Sequence, residues 1–94
     1  MIAVRNIGQG DPLRFEVTVS EGGGTTRHEV AMSRAMLDTF AGGARTPEHC
    51  MAAAFRFLLD REPKEAILRK FDLAVIETYF PEFSREFPRY LASR

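Results

Sequence analysis

Apolar and polar side chains alternate without interruption along residues 13–20, LRFEVTVS. This period of two is typical of an antiparallel strand with one buried face. Residues 25–32, TTRHEVAM, alternate more loosely, and the glycines of EGGG at 21–24 supply a turn between the two segments. The pattern therefore predicts a β-hairpin.

A four-residue loop at 21–24 sets the register of this hairpin so that the two apolar faces coincide. The predicted cross-strand pairs are Val19 with Thr26, Val17 with His28, Phe15 with Val30, and Leu13 with Met32. A two-stranded hairpin alone is marginally stable in water. Residues 2–7, IAVRNI, are a candidate for a third strand, and helices must supply the rest of the cover.

Two helices are predicted next, each with its own start signal. Ser33 is a predicted N-cap for a helix over 34–41, and Gly42-Gly43 is its predicted stop. The sequence TPE at 46–48, with threonine as cap and proline at the first helical position, starts a helix over 47–61. This second helix has the longer apolar stripe.

Prolines divide the remainder of the chain into shorter segments. Pro63 opens a predicted helix with the sequence PKEAILRK. Asp72 caps a further predicted helix, LAVIETYF, which Pro81 ends because the residue before a proline disfavours helical backbone angles. A short turn, PEFSREF, is predicted before Pro88 closes it.

The order of elements, a hairpin first and helices afterwards, favours the α+β class over repeated βαβ units. We predict an N-terminal antiparallel β-hairpin, with room for a third strand, followed by three to four short helices packed on one face. The chain is expected to be a single domain over residues 1–94, with a β-hairpin region at 1–32 and a helical region at 33–94.

Composition and charge narrow the function classes. The 94 residues are 45% hydrophobic and 28% charged, and the formal net charge is zero. A chain with this charge balance lacks the general electrostatic attraction that a basic domain has for nucleic acid or anionic lipid. Cys50 is the single cysteine, no segment resembles a secretory signal, and no run approaches the ~18 apolar residues of a membrane span. We therefore expect a cytoplasmic protein without membrane association.

Two segments, FRFLLDREPKEAIL at 55–68 and FDLAVIETYFPEF at 71–83, resemble a known pattern. They are similar to FLL-REP-ESIL followed by FDL-VI-YFPE, which is shared by a group of small bacterial hypothetical proteins. The resemblance covers about half of the chain, and KEAIL has alanine where the group has serine. It implies a bacterial, self-contained domain. The group has no established activity, so the resemblance implies no catalytic or binding residue.

The candidate chemistry is sparse. His28 is the one ionisable side chain on the inward face of the predicted hairpin, which makes it a candidate metal ligand or general base. It has no partners at ligand spacing, and the alternative is a histidine at the rim of the sheet with one nitrogen satisfied. His49 and Cys50 are adjacent and point about 100° apart on a helix, so they cannot serve one site. We predict no catalytic residue, no cofactor and no metal.

A nucleic-acid-binding regulator is one alternative, because the predicted helices over 34–41 and 47–61 imitate a helix-turn-helix outline. The second of these helices is mostly apolar and offers only Arg56 and Arg61 as cations, which favours burial over insertion into a DNA groove. A ribbon-helix-helix protein would begin with one strand instead of a hairpin. A small enzyme with a site of unrecognised type is a second alternative.

Aromatic residues concentrate near the C-terminus, where six of the ten lie within the last 24 residues. We expect Phe71, Ile76 and Phe80 in the core, and Phe83 and Phe87 at the surface. The predicted interaction surface consists of Tyr79, Phe83, Phe87 and Tyr90. Exposed aromatic residues are frequent anchors of protein interfaces. The sequence therefore predicts a non-enzymatic protein-interaction or accessory domain that self-associates or binds a protein partner through this surface.

Overall fold

The computed structural model describes residues 1–41 and 46–92. In chain order, the elements are β1 (Ile2–Gly8), β2 (Leu13–Glu21), β3 (Gly24–Met32), α1 (Arg34–Ala41), α2 (Pro47–Leu59), a 3-10 turn (Lys64–Ala66), β4 (Lys70–Asp72), α3 (Val75–Tyr79) and α4 (Phe83–Ala92). This architecture confirms the predicted α+β class. The predicted stop at Gly42-Gly43 lies outside the described residues.

The β2–β3 hairpin has the predicted register, with Val17 opposite His28 and Phe15 opposite Val30. Its turn is shorter than the predicted loop, because the pairing continues to Glu21 and Gly24. The two residues between them, Gly22 and Gly23, have φ angles of 64° and 81°. Such angles are strained for other residues, and they match the twist of a two-residue hairpin turn.

The sheet has the strand order β1-β2-β3-β4. The candidate strand at 2–7 is present as β1 and pairs antiparallel with β2. The side chains on one face of β2 and β3 are buried, namely Leu13, Phe15, Val17, Val19, His28, Val30 and Met32. The intervening residues are exposed or partly exposed, so the helices cover one face of the sheet and solvent covers the other.

The prediction of a helix over PKEAILRK is wrong beyond its first turn. Only a 3-10 turn forms there, and residues 70–72 add β4 to the sheet, parallel to β3. The reason is the open edge of β3, which offers backbone partners. The amide of Glu29 donates to the Arg69 carbonyl at 2.7 Å, and the amide of Leu73 donates to the Ala31 carbonyl at 2.8 Å. Backbone hydrogen bonds to β3 therefore form here in place of the hydrogen bonds within a helix. The end of the region predicted to be helical begins a strand instead.

The predicted caps of the first two helices are present. The amide of Met36 donates to Oγ of Ser33 at 3.0 Å, and the amide of His49 donates to Oγ1 of Thr46 at 3.0 Å. The second helix ends at Leu59, before the predicted residue 61. No helix among the described residues is long and apolar enough to cross a membrane.

Helix α2 lies between the sheet and α4. Its buried residues cover more than one stripe: Cys50, Met51, Ala53, Ala54, Phe55, Phe57 and Leu58. On the sheet side, the ring of Phe55 lies 5.3 Å from that of His28 and 6.2 Å from that of Phe71. On the opposite side, the ring of Phe57 lies 4.9 Å from that of Phe83. A helix that is apolar on both sides needs cover on both sides.

The expectation that Phe83 and Phe87 lie at the surface is wrong. Their exposed fractions are 0% and 1%, because α4 packs them against Phe57 of α2 and Phe40 of α1. Of the three residues expected in the core, Ile76 is buried, and the rings of Phe71 and Phe80 are half-buried. The sheet covers one side of α2, and the rings of Phe83 and Phe87 in α4 belong to the layer that covers the other. Both rings are therefore part of the core.

Pro88 does not end the C-terminal segment, contrary to the prediction. Helix α4 continues through it to Ala92. A proline within a helix leaves the carbonyl four residues earlier, here that of Ser84, without its donor. Both residues are exposed, so solvent can reach that carbonyl. The same helix face that buries Phe83 and Phe87 also buries Leu91.

We expect Phe83→Ala to lower the free energy of unfolding by about 3–5 kcal/mol, because it removes a fully buried ring and leaves a cavity between α2 and α4. Urea denaturation followed by circular dichroism measures the change. Tyr79→Ala is the matched control, since that ring is 65% exposed, and should change stability by less than about 0.5 kcal/mol. Equal effects of the two substitutions would contradict the assigned core.

Candidate functional site

The histidine predicted as a candidate ligand, His28, is a buried structural residue, and 2% of it is exposed. Its Nδ1 lies 2.8 Å from the Leu68 carbonyl oxygen, and its Nε2 lies 2.8 Å from Oγ1 of Thr26. A carbonyl oxygen only accepts, so Nδ1 donates to Leu68, and in the neutral ring Nε2 accepts from the threonine hydroxyl. Both nitrogens are thus engaged within the chain. The bond to Leu68 ties the segment before β4 to the sheet.

The adjacent residues His49 and Cys50 also have structural surroundings. Nε2 of His49 donates to the Leu91 carbonyl at 2.8 Å and joins α2 to the end of α4, while Cys50 is buried. Within residues 1–41 and 46–92, no three side chains of histidine, cysteine, aspartate or glutamate lie close enough together to hold a metal ion.

Tyr90, predicted as part of an interaction surface, is half-buried, and its hydroxyl belongs to a polar network. The hydroxyl donates to Oδ2 of Asp60 at 2.5 Å and accepts from Nη1 of Arg61 at 3.4 Å. The guanidinium of Arg61 lies 3.7 Å above the centre of the Phe57 ring, and its Nε donates to Oε2 of Glu82 at 2.9 Å. This hydrogen bond holds the pKa of Glu82 below its usual range. The network fastens α4 to the end of α2.

Tyr79 is the one member of the predicted surface that is strongly exposed, at 65%. It stands at the edge of a half-open groove of about 340 Å³. The end of α2, the segment that follows the 3-10 turn, β4 and α3 form its walls. The lining residues are Leu58, Glu62, Ala66, Ile67, Leu68, Phe71, Val75, Ile76, Tyr79 and Phe80. The groove is therefore predominantly apolar.

One carboxylate, Glu62, is among the residues that line this groove. Burial raises its pKa above the usual value. Its side chain makes no hydrogen bond or ion pair with the residues that the structure describes. The groove thus combines a mainly apolar lining with one half-buried carboxylate.

The groove was not predicted from the sequence. Leu68 lies in the segment PKEAILRK, for which a helix is predicted, and it is 48% exposed in the structure. The groove lies between the end of α2 and the segment of the chain whose residues 70–72 pair with β3. The one available signal was Tyr79, a large aromatic residue on a short helix that buries Ile76.

Comparisons of the chain with family models, with curated proteins and with solved structures find no match.

We expect His28→Ala to lower the free energy of unfolding by about 2–4 kcal/mol, because it leaves the Leu68 carbonyl without its donor and removes a buried ring. Trypsin should also cleave faster after Arg69 and Lys70, since the segment loses a tie to the sheet. Arg27→Ala, an exposed change on the same strand, is the control. Unchanged cleavage with His28→Ala would contradict this role.

We expect Glu82→Gln to be less stable than the wild-type protein at pH 7 and to converge with it in acid. The folded-state pKa of Glu82 is lowered by Arg61. Its contribution is therefore complete above the unfolded-state pKa and is lost as the pH falls through the folded-state value. Urea denaturation at pH 7 and at about pH 3 measures both differences. A deficit that is independent of pH would contradict the ion pair.

Proposed function

We propose that this chain is a small non-enzymatic protein-interaction domain that binds a protein segment in the groove beside Tyr79. The observation that carries the proposal is the position of exposed apolar residues. Among the described residues, the large hydrophobic side chains that are exposed are Met1, Ile7, Leu68 and Tyr79. Two of the four, Leu68 and Tyr79, lie at the groove.

The size and lining of the groove support a protein segment as its occupant. A volume of about 340 Å³ is at the lower end of ligand sites, which extend from about 300 to 1,000 Å³. Such a volume suits a few side chains of a docked segment better than a large cofactor. A tyrosine at the edge of a concave apolar surface is a frequent anchor of protein interfaces.

The alternative of a nucleic-acid-binding regulator has less support. Helix α2, which would be the recognition helix, is buried between the sheet and α4. The net charge of the chain is zero. Recognition by a helix needs a solvent-accessible face and cations for the phosphates. We propose a cytoplasmic setting from the single cysteine, Cys50.

Photo-crosslinking in cells that express the protein tests the proposed function. With p-benzoylphenylalanine in place of Tyr79, we expect a discrete protein adduct, because a docked segment lies against that ring. The same group in place of the exposed Ile7 is the positional control and should give no comparable adduct.

Ala66→Arg, which puts a long charged side chain into the groove from an exposed position, should abolish the adduct at position 79. Ala35→Arg, an exposed change on α1, should preserve it. An absent adduct at position 79, or one that Ala66→Arg leaves unchanged, would contradict binding in the groove.

A further inference from the structure

Two opposite charges at or next to the groove have no partners among the described residues. Glu62 lines the groove, and Arg69 directly follows the lining residue Leu68 and is exposed. Neither side chain makes a hydrogen bond or ion pair with the residues described by the structure.

The other cations of this region are engaged. The ion pairs are Arg61 with Glu82 at 2.9 Å, Lys64 with Glu65 at 2.8 Å, and Lys70 with Glu29 at 3.8 Å. Arg69 is thus the available cation near the groove among the described residues.

From this placement we infer that the groove binds a second copy of this chain about a twofold axis, with Glu62 of each copy paired to Arg69 of the other. The inference rests on the proposed function and names its partner. A twofold interface uses the same patch on both subunits, so the patch must be complementary to itself.

This patch meets that condition. It has one concave apolar surface and two exposed apolar side chains, Leu68 and Tyr79, to fill the groove of the other copy. It has one acid, Glu62, and one cation, Arg69, that have no partner within residues 1–41 and 46–92, so two copies present no net repulsion. Pairing Glu62 across the interface also compensates the carboxylate that burial leaves without a partner in the single chain.

The small size of the patch sets the expected strength. A groove of about 340 Å³ with two inserted side chains corresponds to an interface at the low end of the size range. We therefore expect a reversible dimer with a dissociation constant in the micromolar range, weakened by salt because an ion pair at the rim is screened. Sedimentation velocity over a range of micromolar concentrations measures this constant.

Charge reversal gives the decisive test with purified protein. Glu62→Arg alone places two cations opposite each other, and Arg69→Glu alone places two acids opposite each other. Each variant should dimerise at least about tenfold more weakly than the wild-type chain. An equal mixture of the two variants should associate again, to within about threefold of the wild-type constant, because the mixed dimer has two ion pairs: the original pair of Glu62 with Arg69, and one pair of reversed polarity between the two substituted positions.

Two controls separate this result from misfolding and from general charge effects. Circular dichroism should show that both variants are folded. Glu21→Arg, a charge reversal on an exposed residue at the hairpin end, should leave the dissociation constant unchanged. A wild-type chain that stays monomeric at all concentrations, or a mixture that stays monomeric, would overturn the inference.

The outcomes distinguish the two proposals. An adduct at position 79 with twice the mass of the chain supports both of them. An adduct of any other mass supports the interaction domain and contradicts the second copy. No adduct, together with a monomeric wild-type chain, removes both.

Discussion

The burial of α2 on two opposite sides is the constraint on which the rest of the structure depends. Phe55 faces the sheet and Phe57 faces α4, so neither the sheet nor the C-terminal helix alone suffices to cover this helix. A chain of 94 residues forms only a modest core, so it has few large apolar side chains beyond those that this core needs. Phe83 and Phe87 therefore belong to the second layer, and the proposed interaction surface lies elsewhere.

The groove proposed as that surface lies where the second layer meets the sheet edge. The segment that leaves α2 returns to β3 and pairs with it in parallel, and His28 and the Glu29 amide hold its backbone. Because the segment is extended there and not helical, it stands apart from the end of α2. The space between them is the groove, and the side chains at its edge, Leu68 and Tyr79, remain exposed.

Local patterns predicted the hairpin and the starts of α1 and α2, and the features that they missed depend on non-local contacts. Strict alternation over 13–20 sufficed for the register of β2 and β3, and Thr46 and Ser33 acted as caps where expected. β4 is three residues long and exists only because β3 has an open edge. The spacing of Phe83 and Phe87 fits a core face and an interface equally well. Whether the two rings are buried or exposed depends on their packing against the side of α2 that faces away from the sheet. No local sequence pattern encodes that contact.

The central claim is that residues 69–73 are hydrogen-bonded to β3, with residues 70–72 in the sheet, and so form a wall of the groove. Native-state hydrogen exchange at the amides of Glu29 and Leu73 tests it most directly, since these amides donate to Arg69 and Ala31 across the parallel pair. We predict that both exchange only through large-scale unfolding, like the central amides of the β2–β3 hairpin. Exchange at the rate of exposed loop amides would contradict the docked strand and, with it, the groove.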